Sequence, residues 1–137
     1  MKKISRRTFV ENSSALLAAS ALSIGRSQVV EPSKLHAMFV HHVYFWLKEA
    51  NNQESHARLL KGLQTLPAIK AIHMAHIGVP ATTNRDVIDR SYQFSLLLLF
   101  KNQADQDAYQ VHPTHLQFVK DCSSLWEKVV VYDSVDA

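Results

Sequence analysis

The sequence of 137 residues predicts one α+β domain, built from a four-stranded antiparallel sheet with helices on one of its faces. Three observations predict it. The elements follow the order strand, helix, strand, strand, helix pair, strand; the first strand is apolar on both faces; and the composition, 47% hydrophobic and 20% charged, is ordinary for a globular protein. That order is typical of the ferredoxin-like fold, and we assign the domain to residues 38–137.

The first predicted strand, MFVHHVYFWLK, is rich in β-branched and aromatic residues. His41, Val43 and Phe45 share one face, and the alternate positions, which include Tyr44 and Trp46, are apolar as well. The few helices of so short a chain can cover only one face of the sheet. We therefore expect a second copy of the chain to cover the other face, which predicts a homodimer.

A helix and a short strand come next. The segment NQESHARLLKGLQTL is amphipathic and ends at Pro67, so it predicts a helix. Its inward residues are Leu59, Leu60, Leu63 and Leu66. The segment KAIHMAHIGV then predicts the second strand, and a polar loop over residues 80–90 leads to the third.

The third and fourth strands complete the sheet. The third, SYQFSLLLLF, has an apolar face made of Tyr92, Phe94, Leu96, Leu98 and Phe100. Asn102 follows as the expected cap of the next helix. The fourth strand, EKVVVYDSV, closes the domain and places Val129 and Val131 on one face.

Between these two strands, DAYQVHPTHLQFVKDCSSLW places a tyrosine and two histidines around a proline. Pro113 lacks an N–H and restricts the residue before it, so one helix ends near Val111 and another begins at Pro113. Tyr109 then lies in a last turn and His115 in a first turn, where the helix dipole disfavours a charged imidazole. We expect the Tyr109 hydroxyl to reach the His115 ring at the edge of an apolar space.

The second of these helices carries apolar residues every three or four positions. Leu116, Val119, Cys122 and Trp126 predict its buried stripe. Cys122 is the single cysteine, so the sequence excludes an intramolecular disulfide and a cysteine-based metal site.

A histidine-based metal site was also considered. His41, His112 and His115 would supply imidazole ligands, but no carboxylate stands at ligand spacing in the segment. We expect no metal, and we assign His112, which precedes the proline, to the helix boundary.

The positive charge of the chain is concentrated at its start. Residues 1–23 carry four of the 15 basic side chains and one of the 12 acidic ones, so the remainder is balanced, with 11 of each. The domain therefore has no basic surface that would indicate nucleic-acid binding.

The same first residues resemble a twin-arginine export signal. Arg6 and Arg7 precede Phe9, and an apolar run rich in Ala and Ser follows, too short for the roughly 20 residues that span a bilayer. We predict a signal over residues 1–23 and a linker over residues 24–37, with a periplasmic or extracellular protein that leaves the membrane after export. The alternative is a disordered cytoplasmic tail.

Three segments together resemble the stress-responsive dimeric α/β-barrel family, also called Dabb: the first strand with its histidine, YQVHPTHLQF, and the closing LWEKVVVYD. The resemblance spans residues 38–135. It implies a ferredoxin-like unit that pairs through its sheets into a barrel. The family includes a cofactor-free plant polyketide cyclase that performs an intramolecular aldol condensation.

The resemblance also implies roles for individual residues. His115 matches the histidine that acts as the base of the cyclase, and Tyr109 matches its partner tyrosine. His41, Phe118 and Trp126 match residues of the pocket. The substrate does not carry over, because this chain has Phe94 where the cyclase has a histidine, and Leu59 appears where it has a tyrosine.

These residues describe a small-molecule site in physical terms. If the strand faces look toward the helices, His41, Tyr109 and His115 are the few polar groups of an apolar pocket. The other expected lining residues are Val43, Phe45, Phe94, Leu96, Phe118, Trp126 and Val129.

Such a pocket is compatible with two functions, and its absence would indicate a third. In a cofactor-free enzyme, His115 would remove a proton alpha to a carbonyl while Tyr109 orients it or hydrogen-bonds the enolate. A non-catalytic protein would use the same pocket to bind a hydrophobic or carbonyl-containing metabolite. A purely structural dimer would have no pocket at all.

Overall fold

The computed structural model describes residues 37–137, and the predicted order of elements is found there. The strands are β1 (Phe39–Leu47), β2 (Met74–Gly78), β3 (Phe94–Phe100) and β4 (Trp126–Ser134), and the helices are α1 (Gln53–Leu63), α2 (Gln103–Gln110) and α3 (Pro113–Cys122). The predicted export signal and all of the linker except Ala37 lie outside the described residues. Within these residues each helix is too short or too polar to traverse a bilayer.

The four strands form one antiparallel sheet in the order β2-β3-β1-β4. The central strand β1 pairs with both β3 and β4, so that Val43 lies opposite Leu96 on one side and Val131 on the other. With the helices packed on one face, this is the arrangement of a ferredoxin-like α+β fold, and the predicted fold class is confirmed.

The core lies between the sheet and the helices. Burial alternates along β1, where Val43, Phe45 and Leu47 are buried and the residues between them are less so. This is the pattern of a strand that presents one face to the core. On α1, Leu59 and Leu63 point into the same core and are fully buried.

Helix α1 is shorter than predicted. Asn52 caps it by accepting the Ser55 N–H at 3.0 Å, and the helix ends at Leu63 rather than continuing to the proline. Leu66 belongs instead to a short 3-10 helix, Leu66–Ala68, whose first turn accepts Pro67 because no N–H is needed there.

The buried stripe of α3 also differs from the prediction. Leu116 is 55% exposed and Val119 38%, whereas Phe118 and Cys122 are buried. The reason is the contact with α1, where a Cβ atom on Gly62 would lie 2.5 Å from the Cys122 sulfur. The missing side chain of Gly62 lets α3 approach through its Phe118 and Cys122 face.

The face of the sheet away from the helices carries an aromatic cluster of Tyr44, Trp46, Tyr92 and Tyr132, which we call the outer cluster. Tyr92 packs on Tyr44 with ring centroids 4.8 Å apart, so the prediction that it shares a face with Phe94 and Leu96 is wrong. The physical reason is that β3 begins only at Phe94, so the alternation of the strand does not extend back to Tyr92. Tyr132 remains 63% exposed.

Candidate functional site

A cavity of about 140 Å³ lies between the helix-facing side of the sheet and helices α2 and α3. All of the predicted site residues except Phe94 line it, together with Gln110, Val119 and Val131. The three predicted polar groups, His41, Tyr109 and His115, therefore meet at one space, although they come from β1, α2 and α3.

Phe94 is placed differently from the prediction. It is the first residue of β3 and is buried against α1, with its ring 5.5 Å from that of His56. The side chain faces α1 rather than the pair of helices that bounds the cavity, so it packs the core and does not line the cavity.

Trp126 lines the cavity from a different element than predicted. Helix α3 ends at Cys122, and Trp126 is the first residue of β4, paired with Leu47. Its ring lies 5.3 Å from that of Phe45 and 5.9 Å from that of Phe118. Phe45, Phe118 and Trp126 thus form an aromatic wall at one end of the cavity.

Tyr109 lies at the polar end of the cavity, which is the end that also holds His41 and His115. It is 1% exposed, and its ring lies 4.4 Å from that of His115 and 5.8 Å from that of His41. Burial raises the pKa of its phenol well above the ordinary value of 10.0, so the hydroxyl stays protonated and can donate a hydrogen bond.

The Tyr109 hydroxyl is open to the cavity. It makes no hydrogen bond to another residue in the range 37–137, and in that range no fully buried side-chain nitrogen or oxygen lacks a partner. The oxygen must therefore keep some accessible surface, and the cavity is the space beside it.

His115 is held by the end of the preceding helix. Its Nδ1 lies 3.0 Å from the carbonyl oxygen of Gln110, one of the carbonyls that a helix leaves without an intrahelical partner. A carbonyl only accepts, so Nδ1 carries the proton and Nε2 of the neutral ring has a free lone pair.

The electrostatics of His115 favour this neutral form. Burial lowers its pKa below the ordinary 6.5, and the neighbouring His41 acts in the same direction, while the hydrogen bond to Gln110 opposes them. A neutral imidazole with a free nitrogen is able to accept a proton from a substrate.

The predicted hydrogen bond between Tyr109 and His115 is not formed. The rings instead lie against each other with 40° between their planes. The reason is local: the break at Pro113 brings the His115 Nδ1 onto the Gln110 carbonyl, which fixes the imidazole beside the phenol ring rather than beyond its oxygen.

His41 has a partner that the sequence analysis missed. Its Nδ1 lies 2.6 Å from a carboxylate oxygen of Asp133, which is the residue opposite it in the β1–β4 register. The carboxylate accepts, so Nδ1 carries the proton and Nε2 is the nitrogen left for a ligand. The sequence did contain a signal for this contact, because Asp133 follows Val129 and Val131 at intervals of two residues and so lies on the same face of the strand.

His112 does not belong to the cavity. Its Nδ1 accepts the backbone N–H of Thr114 at 3.1 Å, so it caps α3. In the part of the chain that the structure describes, no three His, Cys, Asp or Glu side chains are grouped so that they could hold a metal ion.

The family model described as "Stress responsive A/B Barrel Domain", or Dabb, matches residues 39–136. No curated protein matches the chain significantly.

Solved structures give similar results. A Dabb family protein with a ferredoxin-like fold from Mesorhizobium loti is 28% identical, with a TM-score of 0.61 over 73% of this chain and 97% of its own. A hydroxynitrile lyase from Passiflora edulis is 20% identical, with a TM-score of 0.62 over 75% and 96%. A dimeric protein of unknown function from Bacteroides fragilis is 20% identical, with a TM-score of 0.60 over 75% and 100%.

Proposed function

The chain belongs to the stress responsive A/B barrel domain family, and from this premise we propose that it transfers a proton at the carbon alpha to the carbonyl group of a small compound. The proposed reaction uses only side chains of the protein and no cofactor. The enolate it generates is also the nucleophile of an aldol-type reaction, so carbon–carbon bond formation or cleavage falls within the proposal.

One observation carries this proposal. Two histidines, each held by a hydrogen bond at Nδ1, flank the buried Tyr109 at the polar end of an apolar cavity. Fixing Nδ1 fixes both the tautomer and the direction of each ring, which is how a histidine is prepared for proton transfer.

His115 is the proposed base. Its free Nε2 removes the alpha proton, and the neutral state favoured by burial keeps that nitrogen available near neutral pH. General-base catalysis of this kind contributes a factor of about 10² to 10⁴, so positioning in the cavity must supply the rest of any acceleration.

Tyr109 is the proposed donor to the developing enolate. As the carbonyl oxygen gains negative charge, a phenol that remains protonated donates to it without first breaking another hydrogen bond. His41, oriented by Asp133, is the second group beside the same oxygen. A structural neighbour with the same fold is named a hydroxynitrile lyase, so this fold can carry an enzyme.

Hydrogen–deuterium exchange tests the proposal. Small ketones are incubated with the protein in D₂O, and loss of the alpha-proton signal is followed by NMR. We expect exchange faster than with heat-denatured protein at the same concentration. Equal rates with native and denatured protein, for every ketone of a panel covering aliphatic and aromatic members, would reject proton transfer.

A second function is favoured by the mostly apolar lining. In this alternative the protein binds a hydrophobic metabolite without changing it, and His41, Tyr109 and His115 only recognise its polar end. Native mass spectrometry of freshly purified protein separates the two: a retained compound that is released chemically unchanged, together with absent exchange, favours the binder. If no compound is retained and no alpha-proton exchange occurs, a structural dimer is favoured.

We also propose that the chain forms a homodimer through the outer cluster. Tyr44, Trp46, Tyr92 and Tyr132 present an aromatic surface that no helix of residues 37–137 covers. A face of this kind is stabilised by a second copy that removes it from water. Structural neighbours described as dimeric, including the one from Bacteroides fragilis, support a homodimer.

The export signal remains part of the proposal, since residues 1–23 carry the arginine pair and the apolar run of a twin-arginine signal. We propose a periplasmic or extracellular location. Replacing Arg6 and Arg7 together by lysine should leave the protein in the cytoplasmic fraction of an expressing bacterium. Unchanged appearance outside the cytoplasm would reject this route.

A further inference from the structure

The size of the cavity limits the compound that it can take. At about 140 Å³, it resembles the apolar cavities of roughly 150 Å³ that accept benzene. Ligand sites for larger compounds start at about 300 Å³. One six-membered ring with a short substituent matches this volume, whereas the second ring of a fused pair would project from the open side of the cavity.

The lining also limits the charge of the compound. No Lys, Arg, Asp or Glu side chain lines the cavity, and its polar groups are two imidazoles, a phenol and the amide residue Gln110. The carboxylate next to it, Asp133, already binds His41 and would repel an anion. A carboxylate or phosphate brought into such a space loses its hydration without gaining a cation, which is costly.

The two ends of the cavity differ in chemistry. His41 lies opposite Asp133, whereas Phe45 lies four residues further along β1, near Trp126. The His115 ring at the polar end lies 6.5 Å from the Phe118 ring of the aromatic wall, so a single ring with a carbonyl group is long enough to reach both. A compound between them would therefore have its polar group at Tyr109 and the histidines, and its ring against the wall of Phe45, Phe118 and Trp126.

We infer that the site selects a neutral aldehyde or ketone carrying a single six-membered ring, with the carbonyl at Tyr109 and the ring on the aromatic wall. The carbonyl part of this inference rests on the proposed function. The size and neutrality of the ligand rest on the cavity alone, so they can be tested by binding without any turnover.

Trp126 provides the signal for such a test. The chain has two tryptophans, and Trp46 lies on the outer face of the sheet, away from the cavity. In a Trp46→Phe protein the remaining indole fluorescence therefore reports on the aromatic wall. Acetophenone is the probe for one neutral ring, benzoate is its anionic counterpart, and 2-acetylnaphthalene is its two-ring counterpart.

We expect acetophenone to change the Trp126 fluorescence saturably, and benzoate and 2-acetylnaphthalene to bind at least about tenfold more weakly, the first through desolvation and the second through size. Benzoate or the two-ring ketone binding as tightly as acetophenone would overturn the inference. Absence of saturable acetophenone binding would overturn it too.

A blocking variant locates the binding. Val131 lines the cavity from β4 and is partly exposed, so a larger side chain there can enter the cavity without overpacking the buried core. The blocking variant is therefore Val131→Phe in the Trp46→Phe background. Acetophenone binding should be lost, whereas Val87→Phe, in the loop before β3, should leave it unchanged. Binding that survives Val131→Phe in a folded protein would place the ligand elsewhere and contradict the inference.

The outcomes also separate this inference from the proposed function. Selective acetophenone binding, with no alpha-proton exchange in any ketone of the panel, would reject proton transfer and leave the selectivity intact. Exchange with aliphatic ketones, without acetophenone binding, would uphold proton transfer and reject the single-ring preference.

Discussion

The rings of Tyr109 and His115 lie against each other across the helix break at Pro113, with their centroids 4.4 Å apart. Because no hydrogen bond joins them, the phenol oxygen and the His115 Nε2 both remain available to a third molecule. A direct hydrogen bond would have satisfied the two groups with each other. The tilted ring contact instead places a donor and a base side by side at one cavity.

Removing only the Tyr109 hydroxyl should lower the exchange rate while leaving the stability of the fold nearly unchanged. Tyr109→Phe keeps the ring and loses an oxygen without a partner among the described residues, so we expect unfolding free energy to change by less than about 1 kcal/mol. Alpha-proton exchange should fall by about 10² or more, the cost of losing a donor to an oxyanion.

Chemical denaturation and exchange, measured on the same sample, check both parts. Tyr109→Ala is the contrasting variant, since deleting a buried aromatic ring costs about 3–5 kcal/mol. Exchange at the wild-type rate in Tyr109→Phe would remove the hydroxyl from the mechanism.

Asp133 should act through His41. Asp133→Asn keeps a side chain of the same shape but loses the carboxylate that orients the protonated Nδ1. We expect exchange to slow by about tenfold or more, with the KM of the ketone changing less than kcat, because orientation matters most in the transition state.

The matched control for this change is Asp136→Asn, near the chain end and outside the cavity lining. A shift of the pH profile in the first variant but not in the second would distinguish an effect on His41 from a general loss of charge. If both variants match wild type in rate and in pH profile, the His41–Asp133 pair has no part in the reaction.

Acidification should weaken both activity and stability. Burial lowers the pKa of His115 and His42 from 6.5, so between 6.5 and the lower folded-state pKa the unfolded chain binds more protons than the folded one. Stability is therefore greatest above 6.5 and falls as the pH drops through this window.

Urea denaturation at about pH 7.5 and about pH 5.5 checks the sign of this dependence. The exchange rate should keep its neutral-pH value until below 6.5, because His115 must be uncharged to act as a base. An acid midpoint above 6.5 would show that a different group controls the reaction.

Charge on the outer cluster should break the homodimer. Tyr132 is 63% exposed in the single chain, so Tyr132→Glu should preserve the fold while placing a carboxylate in an apolar interface. We expect sedimentation velocity to give a dimer for the wild type and a monomer for this variant.

Val87→Glu provides the comparison, since Val87 is 89% exposed and lies in the loop before β3 rather than on the sheet. It should remain dimeric. A wild-type monomer, or dimers for both variants, would reject the outer cluster as the interface.

Local signals in the sequence were enough for much of the site. Pro113 fixes the helix break, and the alternation of β1 places His41, Val43 and Phe45 on the cavity side. These predictions depend only on backbone geometry within a few residues.

Contacts between distant segments explain what the sequence did not reveal. The pairing of His41 with Asp133 depends on the register of two strands that are 92 residues apart. The buried face of α3 depends on its contact with Gly62 of α1, which the apolar spacing of α3 alone does not encode. Phe94 had the expected strand parity, but parity does not say which helix a side chain meets.

The central claim is that His115 is a base acting on a substrate in the cavity, and the most direct measurement compares alpha-proton exchange in two histidine variants. His115→Gln removes the ring at the cavity, and His73→Gln removes an exposed ring outside it. The account predicts that exchange falls by about 10² to 10⁴ in the first variant and is unchanged in the second. Equal exchange in both variants, with His115→Gln still folded, would contradict the account.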